Sequence, residues 1–145
     1  MGANPKLPLT PEEKAKLRNA KIRLRDIHTL SIYKLEEILG VTKERVRTIK
    51  GLAEFQTIPS IGYRLAQDLI QLNLCSIQEV RDKNGADLFD QLEKIQEVRI
   101  DPCVEDQFRC VVNFANDPNS NKQWFDFTDE RKSYRKTFGY PEDRP

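Results

Sequence analysis

The sequence predicts an all-α protein, and three observations support that prediction. Apolar residues recur at the three- and four-residue spacing of amphipathic helices, for example at Leu65, Leu69 and Leu72. Helix-start signals precede several of these stretches. Turn signals rich in Gly, Pro and Asn separate them. The Val111-Val112 pair suggests a strand, but the helical spacing on both sides of it outweighs that signal.

The composition predicts one modest domain with appendages. The chain has 145 residues, of which 38% are hydrophobic and 32% are charged, which is enough apolar material for a small helical core. No apolar run approaches the ~20 residues of a membrane span. No basic-then-apolar signal segment opens the chain. We therefore expect a cytoplasmic protein without membrane contact.

The formal net charge of +1 conceals an uneven distribution. Residues 1–50 carry 12 Lys and Arg against 6 Asp and Glu, whereas residues 51–145 carry 12 against 17. If nucleic acid binds, we expect its phosphates to contact the basic first part of the chain.

The first helix is predicted to start at Thr10, because Thr10-Pro-Glu-Glu13 combines an N-cap, a proline at the first helical position and a capping glutamate. The nine Pro-rich residues before it are expected to be flexible. An apolar stripe on this helix consists of Leu17, Ala20, Leu24 and Ile27. A basic row on a separate face consists of Lys14, Arg18, Lys21 and Arg25. This row either contacts phosphates or is simply solvated.

A short helix over residues 31–39 is predicted to end at Gly40, and Thr42 caps a further helix that runs to about Glu54. The pair resembles a helix-turn-helix, which would place Lys43, Arg45 and Arg47 on a recognition helix. Glu36 departs from that pattern, because a small residue is usual there. The alternative is two helices of a bundle. Residues 10–54 are thus expected to form a basic helical extension.

The stretch from Phe55 to Ile70 predicts a helix end, a tight hairpin at residues 58–62 and a second helix. Pro59 fixes φ where the chain turns, and Gly62 offers a position without a Cβ. The stretch resembles the helix-hairpin-helix motif, whose usual form is apolar-Pro-Gly-Ile-Gly. Ser60 stands where that motif usually has its first glycine.

A turn that opens a helix directs unpaired N–H groups outward, and the helix dipole adds partial positive charge at the same place. Arg64, in the first turn, could add a charge-assisted contact to an anion. In the alternative, the hairpin only packs the helices and Ile58 and Ile61 fill a core. The candidate DNA-binding residues are Ser60, Gly62, Tyr63, Arg64, Lys14, Arg18, Lys21, Arg25, Lys43 and Arg47.

The remaining chain predicts further helices. Asn73 ends one helix, and a capping box at residues 76–79 opens a connector helix that stops at Asn84-Gly85. Next comes a helix marked by Leu88, Leu92 and Ile95, then a turn at residues 98–102. A further helix starts at Asp101-Pro102. The order of elements in residues 55–116 resembles a paired helix-hairpin-helix (SAM-domain-like) bundle, in which the second hairpin is degenerate because it lacks glycines.

Residues 117–128 contain an aromatic cluster, Trp124-Phe-Asp-Phe127. Aromatic rings can stack on unpaired bases, but the adjacent acidic residues favour rings that dock on the helical core. Residues 129–145 have low apolar content, and we expect a mobile tail there.

The sequence contains no evident catalytic constellation, so we expect no enzymatic activity, no cofactor and no metal. Cys75, Cys103 and Cys110 lack metal-type spacing and are expected to be free thiols. His28 has no evident catalytic partner. The adjacent acids Glu105 and Asp106 diverge by about 100° on a helix and do not form an acid/base couple.

With the hairpin, the Asp101-Pro-Cys-Val helix and the aromatic cluster, residues 30–128 resemble the small bacterial helix-hairpin-helix proteins of the "pathogenicity locus" family. The wider helix-hairpin-helix class binds DNA without sequence preference, which implies that the amides of Ser60, Gly62 and Arg64 contact phosphates. In that class the hairpin carbonyls also hold a monovalent cation, which implies a cation site at the carbonyls of Gln56, Ile58 and Ile61.

The sequence thus predicts a non-catalytic module that binds DNA, expected to be duplex, through phosphates and without sequence specificity. The alternative is a protein-interaction adaptor with a purely structural hairpin. Its partner would bind the acidic second part or the Trp124 region.

Overall fold

The computed structural model describes residues 3–145, and all regular structure in that range is helical. The prediction of an all-α protein is therefore confirmed. The α-helices are α1 (Pro11–Asn19), α2 (Ile32–Leu39), α3 (Lys43–Phe55), α4 (Tyr63–Gln71), α5 (Ile77–Val80), α6 (Gly85–Gln96), α7 (Cys103–Asn116) and α8 (Thr128–Phe138). Two 3₁₀ segments cover Leu24–Thr29 and Trp124–Phe127.

Helix starts and stops follow the local sequence closely. Thr10 and Glu13 form the predicted capping box of α1. Ser31 and Thr42 cap α2 and α3 through their hydroxyl groups. Gly40 ends α2 with a φ of +62°, a left-handed conformation that glycine adopts without steric cost. These signals involve neighbours in sequence, which is why the sequence reveals them.

Two apolar cores share α3. The smaller core lies between α1, the first 3₁₀ segment, α2 and α3, and it contains Val46 and Ile49. The larger core lies between α3, α4, α6 and α7, and it contains Leu52 and Phe55. The expected boundary between residues 54 and 55 coincides with the end of α3, but this helix contributes apolar side chains to both cores.

The basic row does not lie on one helix, and this corrects the expectation for residues 10–27. α1 ends at Asn19, and Lys21 adopts a left-handed φ of +58°. The chain then re-forms as the 3₁₀ segment with Ile27 buried. Ile22 N–H donates to the Leu17 carbonyl at 2.9 Å, which closes the end of α1. Leu17, Leu24 and Ile27 still reach the smaller core across the break in the helix, whereas Ala20 is exposed.

Residues 6–9 are held against the protein, contrary to the expected flexibility over residues 1–9; Met1 and Gly2 lie outside the described residues. Lys6 N–H donates to the Gln56 side chain at 3.0 Å, and Gln56 Nε2 donates back to the Lys6 carbonyl at 2.9 Å. Arg45 Nη2 donates to the Pro8 carbonyl at 2.6 Å. Leu7 packs against both cores.

The C-terminal residues also differ from expectation, because Thr128–Phe138 form α8 instead of a mobile tail. No residue of α8 is buried, so apolar packing does not explain the helix. Its arginines instead reach carboxylates that are fully buried in α7: Arg131 pairs with Asp106 at 2.9 Å and Arg135 with Glu105 at 2.9 Å. Ion pairing replaces the apolar stripe that a docked helix normally shows.

The second half contains one smaller difference. The connector helix α5 ends at Val80, and Asn84 caps α6 instead of ending α5, its side chain accepting from Asp87 N–H at 3.1 Å. Asn73 has the predicted left-handed conformation after α4, with a φ of +64°.

Candidate functional site

The turn between α3 and α4 consists of residues 56–62 and is referred to as the α3–α4 turn. Ile58 and Ile61 are 2% and 5% exposed and fill the larger core, as the packing alternative requires. Ile61 N–H donates to the Ile58 carbonyl at 3.1 Å and tightens the turn. Ser60 has a φ of +64°, the left-handed conformation for which glycine is usual. The backbone is therefore that of a tight turn whose apolar side chains point inward.

The same turn leaves a run of backbone amides without acceptors among residues 3–145. The first backbone bond of α4 joins Ala66 N–H to the Gly62 carbonyl at 3.2 Å, and Gly62 supplies no side-chain cap. The N–H groups that lack a protein acceptor in this range are those of Ser60, Gly62, Tyr63, Arg64 and Leu65. α4 therefore presents an uncapped N-terminus with partial positive charge.

Gly62 is exposed, and no internal contact requires a glycine there. Its φ of −105° and ψ of −172° are extended values that any residue adopts. A Cβ placed on Gly62 would meet nothing within 4 Å. Gly51, by contrast, is required by the fold, because a Cβ there would lie 2.6 Å from the Cys75 carbonyl oxygen.

Ser60 connects the α3–α4 turn to the aromatic segment, a contact that the sequence did not reveal. Trp124 N–H donates to Ser60 Oγ at 2.8 Å. Phe127 is 6% exposed and belongs to the larger core, whereas Phe125 is 54% exposed and meets the Trp124 ring edge-on. The serine that replaces the usual glycine therefore accepts a hydrogen bond that glycine could not.

Arg64 lies in the first turn of α4, is exposed, and takes part in none of the ion pairs among the described residues. One turn later, burial raises the pKa of Asp68, and the charge of Arg64 opposes that shift. Tyr63 is half-buried against the larger core. The Arg64 guanidinium is therefore the charged group near Gly62 that is available to an external anion.

Three members of the basic row share one cleft although their helix is broken. Lys14, Arg18 and Arg25 line a cleft of about 420 Å³ between α1 and the first 3₁₀ segment. Arg23 lines it as well and was not among the predicted residues. Lys21 does not line the cleft. We name this feature the basic cleft.

The two candidates on α3 lie outside the basic cleft. Lys43 Nζ sits 5.7 Å above the Tyr33 ring, and Arg47 lies 3.7 Å from Glu79. Arg45, the third basic residue of the helix-turn-helix interpretation, is bound to the buried Glu13 at 2.8 Å. Its hydrogen bonds hold the pKa of Glu13 below its usual value. Arg45 thus joins α1 to α3 and is unavailable for recognition.

The turn between α6 and α7 is chemically different from the α3–α4 turn. Ile100 N–H donates to the buried Glu93 at 2.9 Å, and Cys103 N–H donates to Asp101 Oδ1 at 2.8 Å. The second bond holds the pKa of Asp101 below its usual value. Carboxylates of the protein thus already occupy donors that an external anion would need.

The carbonyls considered for a monovalent cation are not equivalent. The Ile58 carbonyl accepts from Ile61 N–H, whereas those of Gln56 and Ile61 accept no hydrogen bond within residues 3–145.

In the same range, no three His, Cys, Asp or Glu side chains are grouped as a metal site. The three cysteines are free. Nor does any helix of the described chain combine the length and apolarity needed to cross a bilayer.

These features define a small all-helical protein whose α3–α4 turn and the start of α4 carry amides without an acceptor among residues 3–145. The chain belongs to the pathogenicity locus (Cdd1) family, whose model matches residues 48–133, and the family predicted from the sequence is confirmed. The mitomycin resistance protein McrB of Streptomyces lavendulae is 24% identical over 80 residues, which cover 55% of this chain and 75% of that protein. No solved structure matches the chain.

Proposed function

We propose that this protein binds DNA without sequence specificity, and that α3, the α3–α4 turn and α4 act as a helix-hairpin-helix that holds a backbone phosphate. The observation that carries the proposal is Gly62. Its missing side chain leaves open space beside a run of amides that have no protein acceptor. A phosphate oxygen fits that space, because helix N-termini favour anions and a Cβ would obstruct the approach.

The charges around the turn support the same ligand. Arg64 is free of ion pairs within the described chain, and the basic cleft adds four cationic groups. At the α6–α7 turn, Glu93 and Asp101 take the place of a ligand. The paired arrangement that we propose for residues 55–116 therefore has one active and one inactive hairpin. A single active hairpin favours weak binding that depends on additional basic contacts.

The adaptor alternative requires a contiguous apolar surface. The strongly exposed large apolar side chains of the described residues are distributed over several elements: Tyr33 on α2, Ile95 on α6, Val98 just after α6, Phe125 on the second 3₁₀ segment and Phe138 on α8. Scattered exposed residues of this kind are normal on a monomer surface. We therefore favour nucleic acid over a protein partner.

The test is a fluorescence-anisotropy titration of a labelled DNA duplex at several salt concentrations. With three to five phosphates neutralised, the slope of log K against log salt should be about −3 to −4.5. Arg64→Glu should weaken binding by more than about tenfold, because it replaces a cation beside the phosphate with an anion. Lys132→Glu makes the same charge change at an exposed residue of α8 and should have a much smaller effect.

Gly62→Val supplies a second, uncharged test. Because a Cβ at residue 62 meets nothing in the protein, this variant should keep its helical circular dichroism and its unfolding midpoint while losing DNA affinity. Absence of binding at low salt, or equal affinities for wild type and Arg64→Glu, would refute the proposal.

A further inference from the structure

The basic cleft does not end at α1. Its lining shares Asn4 and Arg25 with a second cleft of about 500 Å³. The second cleft is lined further along by His28, Gln56, Thr57 and Ile61. Ile61 directly precedes Gly62 in the α3–α4 turn. The two clefts therefore adjoin at Asn4 and Arg25, and together they lie between the α3–α4 turn and α1. We refer to the two adjoining clefts as the groove.

The cations of this groove are unpaired, unlike the structural arginines of the protein. Arg45, Arg131, Arg135 and Arg144 each bind a buried carboxylate. No ion pair or side-chain hydrogen bond between described residues involves the four cations of the basic cleft, which are Lys14, Arg18, Arg23 and Arg25.

Asp26 is the one acidic residue among the described residues that line the groove. The four like charges of the basic cleft repel each other, and no ion pair among the described residues compensates them. This arrangement favours a ligand that carries several negative charges.

The floor of the basic cleft is apolar, since it is lined by Leu17, Ile22 and Leu24. A ligand that matches both the rim and the floor needs phosphates together with an apolar face. A nucleotide has both, because its base has an apolar face beside the charged backbone. In a duplex the bases are stacked inside and the outer surface presents phosphates and sugars, so a duplex would leave this floor uncovered.

We propose that the groove binds an unpaired segment of DNA that continues from the phosphate held at the α3–α4 turn. Phosphates of the strand contact Lys14, Arg18, Arg23 and Arg25, and a base lies on the apolar floor. This inference rests on the proposed function and adds to it the form of the preferred ligand. A duplex with a single-stranded overhang satisfies the turn and the groove together, whereas a blunt duplex satisfies the turn alone.

The experiment compares three labelled probes by fluorescence anisotropy: a blunt duplex, the same duplex with an eight-thymidine overhang, and the single-stranded eight-thymidine oligonucleotide. Wild-type protein should prefer the overhang duplex over the blunt duplex by about tenfold, since each added base stack and phosphate contact contributes to affinity. Arg18→Glu combined with Arg23→Glu should remove most of that preference and change blunt-duplex affinity far less.

The matched control is Lys132→Glu combined with Lys136→Glu, which makes the same charge change on two exposed residues of α8. Equal affinity of wild type for the blunt and overhang duplexes would overturn the inference. So would an equal effect of the cleft variant and the control variant on the overhang preference. The inference would then fail even if Arg64→Glu abolished binding to all probes, a result that would leave the proposed function standing.

The converse outcome is also informative. If Arg64→Glu changes nothing but the cleft variant weakens single-strand binding, the turn is not the contact and the groove alone binds DNA. Should the cleft variant fold poorly, an amide NMR titration of wild type with the eight-thymidine strand replaces it. The amides of residues 14–25 should shift during this titration, and unshifted amides there would overturn the inference.

Discussion

Replacing Arg135 by methionine tests whether buried ion pairs hold α8 in place. Arg135 Nε lies 2.9 Å from Glu105 Oε1, and its Nη2 lies 2.8 Å from Asp90 Oδ1. The guanidinium also stacks 4.1 Å from the centroid of the Tyr140 ring. The Glu105 side chain is 0% exposed, so water cannot replace the lost partner. Methionine keeps an unbranched apolar side chain, so mainly the polar contacts are lost.

The expected cost follows from these contacts. Removing one partner of a buried ion pair costs about 3–5 kcal/mol. Because Arg109 Nη2 still lies 3.0 Å from Glu105, we place the loss near the lower bound. The lost stacking on Tyr140 adds about 0.5–1 kcal/mol. A total of about 3.5 kcal/mol lowers the folding equilibrium constant roughly 300-fold. It lowers the melting temperature by roughly 7–14 °C for a chain of this size.

The assay is urea unfolding followed by the fluorescence of Trp124, the one tryptophan of the chain, which lies just before α8. The matched control is Lys136→Met, which removes a positive charge from the next residue. Lys136 is exposed and takes part in no ion pair among the described residues, so its loss should change the free energy of unfolding by no more than about 0.5 kcal/mol. Equal unfolding midpoints for the two variants would refute the claim that ion pairs to α7 hold α8 in place. Residues 129–145 would then behave as the mobile tail that their composition predicts.

Three further predictions concern α1, the α3–α4 turn and the α3 glycine. Arg45 lowers the pKa of Glu13, so the pair contributes stability above the usual glutamate pKa, and this stability is lost as pH falls through the lowered value. Glu13→Gln should therefore cost about 1.5–3 kcal/mol of unfolding free energy at pH 7, and denaturant titrations should show this cost shrinking towards pH 3. A cost that does not change with pH would exclude the Glu13 charge as its cause. Ser60→Ala should cost about 1 kcal/mol of unfolding free energy, because it removes the acceptor of Trp124 N–H. Ser60→Gly loses the same acceptor but relieves about 1–2 kcal/mol of left-handed backbone strain, so it should be nearly neutral. Equal unfolding midpoints for the two variants would contradict the role given to this strain. Gly51→Ala should cost about 1–3 kcal/mol of unfolding free energy, because the new Cβ meets the Cys75 carbonyl. Gly62→Ala, in contrast, should leave the thermal midpoint unchanged. An equal loss of stability in the two variants would show that the close contact at Gly51 does not matter.

The parts of the fold that the sequence predicts are those decided by neighbouring residues. The capping box at Thr10 and Glu13, the hydroxyl cap at Thr42 and the stop at Gly40 each act within one helical turn. The tight α3–α4 turn is equally local, because Pro59 and Ser60 set its backbone. The turn and its candidate role could therefore be stated from the sequence.

What the sequence did not reveal depends on partners that are distant along the chain. Apolar content predicts no helix at residues 128–138, because the residues that hold α8 are Glu105 and Asp106, more than twenty positions away. A signal exists in retrospect: Arg131 and Arg135 repeat at helical spacing opposite an acidic pair in an apolar helix. The break after Asn19 carries no such signal, since Lys21 has no preference for the left-handed conformation that it adopts.

The position of α3 between the two cores has a consequence for any attempt to trim this protein. The stretch that matches the family model, residues 48–133, starts inside α3 and stops before Arg135. A chain cut to those limits would lack residues 43–47 of the 13-residue helix α3, Val46 among them. It would also lack Arg135 and Arg144, which pair with the buried Glu105 and Glu93. We therefore expect that the shared stretch does not fold independently. The intact chain should melt in a single transition, because unfolding of α3 removes apolar side chains from both cores at once.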